Sequence, residues 1–523
     1  MPGIASATLQ APRRALVEVW RGRHGGIAQG WLSLAAYLFL ALSFRAFLIG
    51  NPVVHVDEEF YLYAAQRWQQ GALPYVGVWD RKPIGLFALY RLFVMAPGGG
   101  LVAYQLAGIV FTALTALVVE RMAKEIAPPR ATWLAGAAYV LYMPVFNCAL
   151  GQGPVFYNLP VALAALTVME AWKRPNAPDL LARGVQAMAL VGIAMQIKTC
   201  VVFEGMALGL MLLARGWADG WRGWRFAMAC AVWAGIAILP MALALGAYAA
   251  AGHGEAFIQA NFVSVFQRGP EGPVAGFRVF KETLALSPFI LAILLAPRRM
   301  PMPRAHPVAL RALRLWAAAA VLGFLVFGTW YDHYVAPTLA PLSVLAAPAL
   351  ARTKPGERWY GRLLLGFGAV AGLVVMVYQV HRHGNGQQVS HLASTVRSEI
   401  HGGCYFQFDG EPAFYQAVGA CVPTRFAFPN HLTTYTEATA IGADPNVEVA
   451  RIMLSRPDVV QVAEWKKIYL PNHVSRAVLM DFLLRDYEHY ASVQVGERSY
   501  GLWRPKLRPQ DTGAAIPTSA VQG

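Results

Sequence analysis

Three acids in a row, Asp57-Glu58-Glu59, follow the first long apolar run of the chain, and Asp80-Arg81-Lys82 comes 23 residues after Asp57. Carboxylates take protons or hold cations, and guanidinium and ammonium groups hold phosphate. Both kinds together beside a membrane helix suit chemistry between a phosphorylated lipid and a hydroxyl nucleophile. A plainer role is open too. Asp is a good N-cap, and acids in a first helical turn favour the dipole. Phe60, Tyr63, Ala64, Arg67 and Trp68 then fall at helical spacing up to a stop at Gly71. This predicts a short amphipathic helix starting at Asp57 and lying on the membrane. Pro83 suits the first position of a second interfacial piece. Two acidic helix starts could then face one another, with Arg81 and Lys82 beside them.

The elements that must position these residues are set by hydropathy. Of 523 residues, 56% are hydrophobic and 14% charged, against about 25% charged in a soluble domain. Mean hydropathy is +0.41. Apolar runs fall near 31–50, 101–120, 131–150, 154–172, 182–198, 200–214, 226–251, 283–297, 315–331, 334–351 and 363–381. The expected fold class is a polytopic α-helical membrane protein of about eleven transmembrane helices. Ile84–Pro97 is apolar but short. If it does not cross, then Arg121, Lys124 and Arg130 face the cytoplasm, as do Lys173 and Arg174, Arg215 and Arg222, Arg298 and Arg299, and Lys354 and Arg358. The positive-inside rule favours that topology. It places the first loop, the loop 252–282, Tyr331–Tyr334 and everything after about His381 on the outer face. The net charge of +15 is scattered through short loops, which marks topology rather than a nucleic-acid surface.

The expected organisation is a cytoplasmic segment 1–30, a membrane domain 31–381, a periplasmic α/β domain 382–508 and a disordered tail 509–523. The α/β expectation rests on β-like runs (CYFQF, DVVQVAE, ASVQV) alternating with helical ones (EPAFYQAVGA, NVEVARIMLS, SRAVLMDFLLRDYEHY). The first apolar run reads as an uncleaved helix. Cys148, Cys200 and Cys230 lie in or at the edge of apolar runs and are read as inert. Cys404 and Cys421 could pair if their region is extracytoplasmic.

The pattern Asp57-Glu58, Tyr61, Gly71, Pro74-Tyr75, Asp80 and Lys82-Pro83 resembles the first outer loop of one family of membrane glycosyltransferases. This is the dolichyl-phosphate-mannose–protein mannosyltransferase-like group, which includes bacterial lipid A aminoarabinose transferases. Ile84 stands where many relatives have a second proline. Gly151–Pro160, Lys198 at a helix end and Trp330–Leu342 extend the resemblance over about the first 350 residues. The resemblance implies a GT-C-like fold with interfacial helices in the first outer loop. It implies inverting transfer of a sugar from a polyprenyl phosphate, undecaprenyl phosphate in bacteria, to a lipid-linked, glycan or protein acceptor. Asp57 is then the base and Asp80 supports it. Lys82, Arg81, Lys198, His333 and Arg268 are candidates for the donor phosphate. Glu58, Tyr61, Tyr75, Asn158 and Tyr334 are candidates for the substrate cavity. Some relatives bind a divalent ion, for which Asp80 and His253, with Glu255, are the candidates.

Other readings stand beside these. Lys198 could pair with Glu204, and His333 could be an interfacial residue. Asn158 could be a satisfied helix polar group, and Arg268, Arg278 and Lys281 solvated charges or a lid. Arg45 is expected to snorkel to headgroups. The aromatic residues of the first loop are expected in an interfacial belt, and Asp409 and Glu411 in an ordinary loop. A transporter or flippase is the competing function, but it predicts charge near the midplane and matched broken helices. A glycan ligase would concentrate function in a late loop, and a receptor leaves the acidic run unexplained.

Overall fold

The structure, a computed structural model, describes residues 10–295, 307–326, 328–351, 359–464 and 470–506. The predicted disordered tail from 509 lies outside these residues. Each of the eleven apolar runs contains a helix. Seven helices among the described residues are long and apolar enough to cross a membrane. In the helix Gly223–Ala250 only 17% of the most apolar window is buried, and Trp224, Ile238 and Leu243 point outward. Such an apolar surface needs lipid around it, and the protein is membrane-embedded. Ile84–Val94 is a helix of 11 residues. At 1.5 Å per residue it rises about 16 Å, roughly half a hydrocarbon core.

The described chain forms two compact units. The first comprises the chain to Gly50, Lys82–Ala247 and Gly272–Tyr378. It holds α1 (Gln10–Arg45), α3 (Ile84–Val94) and the other apolar helices. Its helices approach closely through small residues: a Cβ on Gly136 would lie 2.8 Å from the Ala116 carbonyl oxygen of a neighbouring helix. Arg45 corrects an expectation. It does not snorkel; it is fully buried. Its Nε donates to the Ala149 carbonyl at 2.7 Å and a terminal nitrogen to the Val140 carbonyl at 2.7 Å. The carbonyls of a chain turn satisfy the guanidinium where headgroups were expected to.

The second unit comprises Asn51–Arg81, Tyr248–Glu271 and the chain from Gln379. Its centre is a four-stranded sheet of β1 (Tyr405–Gln407), β2 (Val459–Ala463), β3 (Tyr487–Val495) and β4 (Arg498–Pro505), in the order β1-β2-β4-β3. β1 and β2 are parallel; β2–β4 and β4–β3 are antiparallel. The helices Pro412–Val418, Pro445–Leu454 and His473–Asp486 complete an α/β domain. The run ending in DYEHY divides at Tyr487, where β3 begins, and β4 is an element the sequence reading lacked. Cys404 and Cys421 are disulfide-bonded.

The first loop is built into this unit. Trp79 lies in its main hydrophobic cluster with Phe406, Phe426, Val460 and Leu479. The Trp79 N–H donates to the Arg425 carbonyl. Tyr61, Tyr63, Tyr75 and Trp79 are buried in protein, so they do not form the expected belt at a membrane interface. The helix α2 (Val56–Gln69) starts one residue earlier than expected. His55 is its cap, accepting the Asp57 N–H through Nδ1 at 3.2 Å. Every residue from Asp57 to Ala65 is buried. A helix enclosed all round packs in a protein interior, which replaces the picture of an amphipathic helix on the membrane. Phe60 meets Phe428 edge-on and Tyr63 packs against Tyr415.

Candidate functional site

The second unit carries the acidic candidates. Asp57, Glu58 and Glu59 occupy the first turn of α2, where backbone N–H groups favour negative charge. Asp57 is 7% exposed and Glu58 fully buried. Glu59 is tied into the C-terminal domain: the Ala413 N–H donates to its carboxylate, and the Gln416 amide to its backbone carbonyl. Burial pushes the Glu59 carboxyl up to about 8, so near neutral pH it carries a proton. This lowers the charge packed into one helical turn.

Asp80 is also buried, and its carboxylate accepts the Arg81 backbone N–H. The Arg81 guanidinium grips both oxygens of Glu437, and Arg268 Nε stands 3.0 Å from one of them. Arg268 also donates to Glu271 at 2.9 Å. Burial acts to raise the Glu437 carboxyl, but Arg81 and then Arg268 override it and hold it down at about 2. Two cations expected on a donor phosphate are thus engaged with one carboxylate. That carboxylate lies 356 residues from Arg81 in sequence, which is why no local signal announced it. Tyr75 has φ +68°, held there by Tyr248 and Phe257 rings 5.4 and 5.5 Å away. Its hydroxyl contacts Asn261 at 3.5 Å. Tyr75 is core in this unit. Tyr61 is buried on α2 beside the acids. Asp80 and His253 belong to no group of three or more His, Cys, Asp or Glu ligands among the described residues. That pair alone does not fit a divalent ion.

Glu411 accepts from Arg498 and lies 2.9 Å from His383 Nδ1. Asp409 is buried, 3.7 Å from Arg476. The loop is thus a packed ionic cluster, more ordered than a plain turn.

The first unit carries other candidates, three of which gather on one tetrapeptide. Tyr331–Tyr334 (YDHY) precedes the helix Ala336–Leu350. Lys198 Nζ sits 4.2 Å from the Tyr334 ring centroid, and the His333 ring is 4.7 Å from that of Tyr334. Arg278 lies 4.3 Å over Tyr331 and donates to the Thr329 carbonyl. Lys281 and Asn147 donate to the two oxygens of Asp332 at 2.7 and 2.9 Å. Three cations, Lys198 from one segment and Arg278 and Lys281 from the helix Pro273–Leu295, thus meet four residues. Lys198, proposed from one stretch, and His333 and Tyr334, proposed from another, are brought together. The Lys198–Glu204 alternative gives way, since Glu204 accepts instead from the Trp316 indole at 2.7 Å. Asn158 bonds the Tyr139 hydroxyl and the Ala336 carbonyl and is 3% exposed. It fixes the start of the helix after YDHY. Arg278 is 6% exposed, which excludes a solvated role. Lys82 is half-buried where the chain passes into α3.

By sequence, no protein-family model and no curated protein matches the chain. Solved structures do. ArnT from Cupriavidus metallidurans bound to undecaprenyl phosphate superposes with TM-score 0.58 at 15% identity, covering 91% of this chain and 98% of that one. The same protein in the apo state gives 0.59 at 15% identity, with the same coverage. The archaeal oligosaccharyltransferase AglB from Archaeoglobus fulgidus, in complex with an inhibitory peptide and a dolichol-phosphate, gives 0.54 at 13% identity, covering 92% and 74%. The resemblance in the first loop and the shape of nearly the whole chain therefore agree: the protein has the GT-C fold of ArnT and AglB.

Proposed function

We propose that the protein transfers a sugar from a polyprenyl phosphate to an acceptor on the outer face of the plasma membrane, with inversion at the anomeric carbon. The observation that carries this reading is the fold shared over 91% of the chain with a protein bound to undecaprenyl phosphate. Asp57 is the base. It takes the proton of the acceptor hydroxyl as the oxygen attacks the anomeric carbon, and the C–O bond to polyprenyl phosphate breaks with the phosphate as leaving group. The α2 N-terminus, capped by His55, fixes the Asp57 backbone. Lys198, held over Tyr334, and Lys82 at the start of α3 bind the phosphate that leaves. A cation there stabilises charge as it develops. His333 orients that phosphate, and Asp80 shapes the turn before Lys82. The N-terminus is cytoplasmic and the C-terminal domain periplasmic in this reading. Arg81 and Arg268, held on Glu437, fasten the loops of the second unit to one another.

The test is mass spectrometry of envelope glycolipids and glycoproteins from a strain lacking the gene. Loss of a single sugar from one glycan class names donor sugar and acceptor together. An unchanged glycan profile, with lipid-linked intermediates redistributed across the membrane, supports the flippase instead.

A further inference from the structure

The second unit contains a cavity of about 390 Å³ lined by later turns of α2 and not by its acidic first turn. This falls in the size range of small-molecule sites, roughly 300–1,000 Å³. Its walls include Tyr63, Arg67, Thr424, Arg425, Glu448 and Arg451. The charges do not cancel. Glu448 is the one carboxylate among its lining residues, and it is already committed. Arg451 grips it through two bonds of 2.8 and 2.7 Å, and the Thr424 hydroxyl donates to it at 2.7 Å. Those bonds offset the effect of burial and hold its carboxyl below the ordinary range. Among the described residues Arg67 donates only to the Gln70 side chain, at 3.0 Å, and its Nε is buried with no hydrogen-bond partner there. Arg425 lies over the Phe426 ring at 4.9 Å and has no carboxylate within ion-pair distance among the described residues. Among the described residues two guanidinium groups, Arg67 and Arg425, therefore line one cavity without an ion pair of their own, and three arginines face its single carboxylate.

The walls are also built rather than loose. The disulfide Cys404–Cys421 anchors the segment that enters them at Val422. The Trp79 N–H holds the Arg425 carbonyl, and the Thr424 hydroxyl accepts the Phe426 N–H. The Tyr63 hydroxyl, pushed up to about 12 by burial, stays protonated and can donate. A second cavity in the same unit, about 660 Å³, is lined by Glu255 and Asp444 with no Lys or Arg. The surplus of positive charge thus distinguishes the first cavity from the second.

We propose that this cavity binds an anionic saccharide group, a sugar bearing phosphate or carboxylate, through Arg67 and Arg425. A guanidinium presents a planar fork that matches either anion with two parallel bonds. The aromatic edge of Tyr63 and the Thr424 hydroxyl suit a sugar ring. That the group belongs to the acceptor rests on the transferase reading above; the binding itself does not. A phospholipid headgroup offers the same phosphate chemistry, and the experiment separates the two.

The experiment uses the full-length protein in nanodiscs of phosphatidylcholine. Glucose 1-phosphate, glucuronate and glucose are titrated and binding is read by calorimetry. The expected result is saturable binding of at least one anionic sugar, with glucose bound at least tenfold more weakly. Arg67→Gln and Arg425→Gln each weaken it at least tenfold, while Arg425→Lys retains part of it. Each variant is checked for an unchanged unfolding temperature, and Arg67→Lys and Arg425→Lys replace any variant that fails the check. Equal binding of glucose, no binding of any sugar at millimolar concentration, or binding untouched by both substitutions overturns the proposal. Exchange of the lipid for one containing phosphatidylglycerol leaves sugar binding intact if the site serves saccharides. Abolition of sugar binding by that lipid assigns the site to a headgroup and overturns it. Asp57→Asn leaves sugar binding unchanged, so failure here and failure of the transferase reading are distinct results.

Discussion

Replacing Glu437 by Gln should loosen the second unit at pH 7 through one carboxylate. Glu437 is 3% exposed and its carboxyl is held at about 2, against an ordinary 4.5. The difference of about 2.5 pH units, at roughly 1.4 kcal/mol each, is about 3 kcal/mol. Breaking a buried ion pair by removing one partner costs a similar roughly 3–5 kcal/mol. The sign follows from linkage. A carboxyl lowered by folding contributes stability above its unfolded value and loses it as pH falls through the folded one. The gap between wild type and Glu437→Gln should be full at pH 7 and at pH 5, and close as pH drops from 4.5 toward 2. Hydrogen exchange on peptides covering 435–441 and 259–271 reads it locally. An increase in opening of about 100-fold corresponds to about 3 kcal/mol. A change under threefold at pH 7, or a gap that persists undiminished at pH 2.5, refutes the reasoning.

Glu59 gives the opposite slope. Its carboxyl is raised to about 8 by burial, so the stability it permits is complete below about 4.5 and is lost as pH rises through 8. Glu59→Gln should therefore stabilise the protein by about 3 kcal/mol at pH 7, with no gain at pH 4, by thermal unfolding across pH. Cys404→Ser opens a loop of 17 residues and should cost about 3 kcal/mol, read as a lower unfolding temperature of the oxidised protein. In a transfer assay, Lys198→Met should raise the apparent donor KM by at least about tenfold, the weight of a charged hydrogen bond. Tyr334→Phe, which keeps the ring under Lys198, should leave that KM within a few-fold.

The helices were legible because lipid imposes a strong signal: a span must be apolar for its whole length. The α/β character of the C-terminal domain was legible from alternating strand and helix runs, and the disulfide from two cysteines in one polar region. What escaped depends on contacts between distant segments. Trp79 and Tyr75 look like belt residues locally and are core residues, because the first loop packs Trp79 into the C-terminal domain and Tyr75 against Tyr248 and Phe257. Arg81 and Arg268 look like phosphate ligands and are engaged with Glu437, because neither carries a mark of where its partner lies. Arg45 looked free to snorkel, since carbonyls left open by a turn at Ala149 have no sequence signature. YDHY was legible as a motif, but its cations, Arg278 and Lys281, were read as solvated charges or a lid. The cap at His55 went unseen because histidine is not a standard capping residue. Within α2 the acids read as a surface helix start, since burial of a whole turn of carboxylates runs against the usual distribution of charge.

The central claim is tested most directly by sugar transfer from a polyprenyl-phosphate donor by purified protein in nanodiscs, comparing wild type with Asp57→Asn. The account predicts that the variant folds, binds polyprenyl phosphate with unchanged affinity and loses transfer by at least about a hundredfold, the weight of a positioned general base. Transfer at the wild-type rate by a folded Asp57→Asn protein would contradict it.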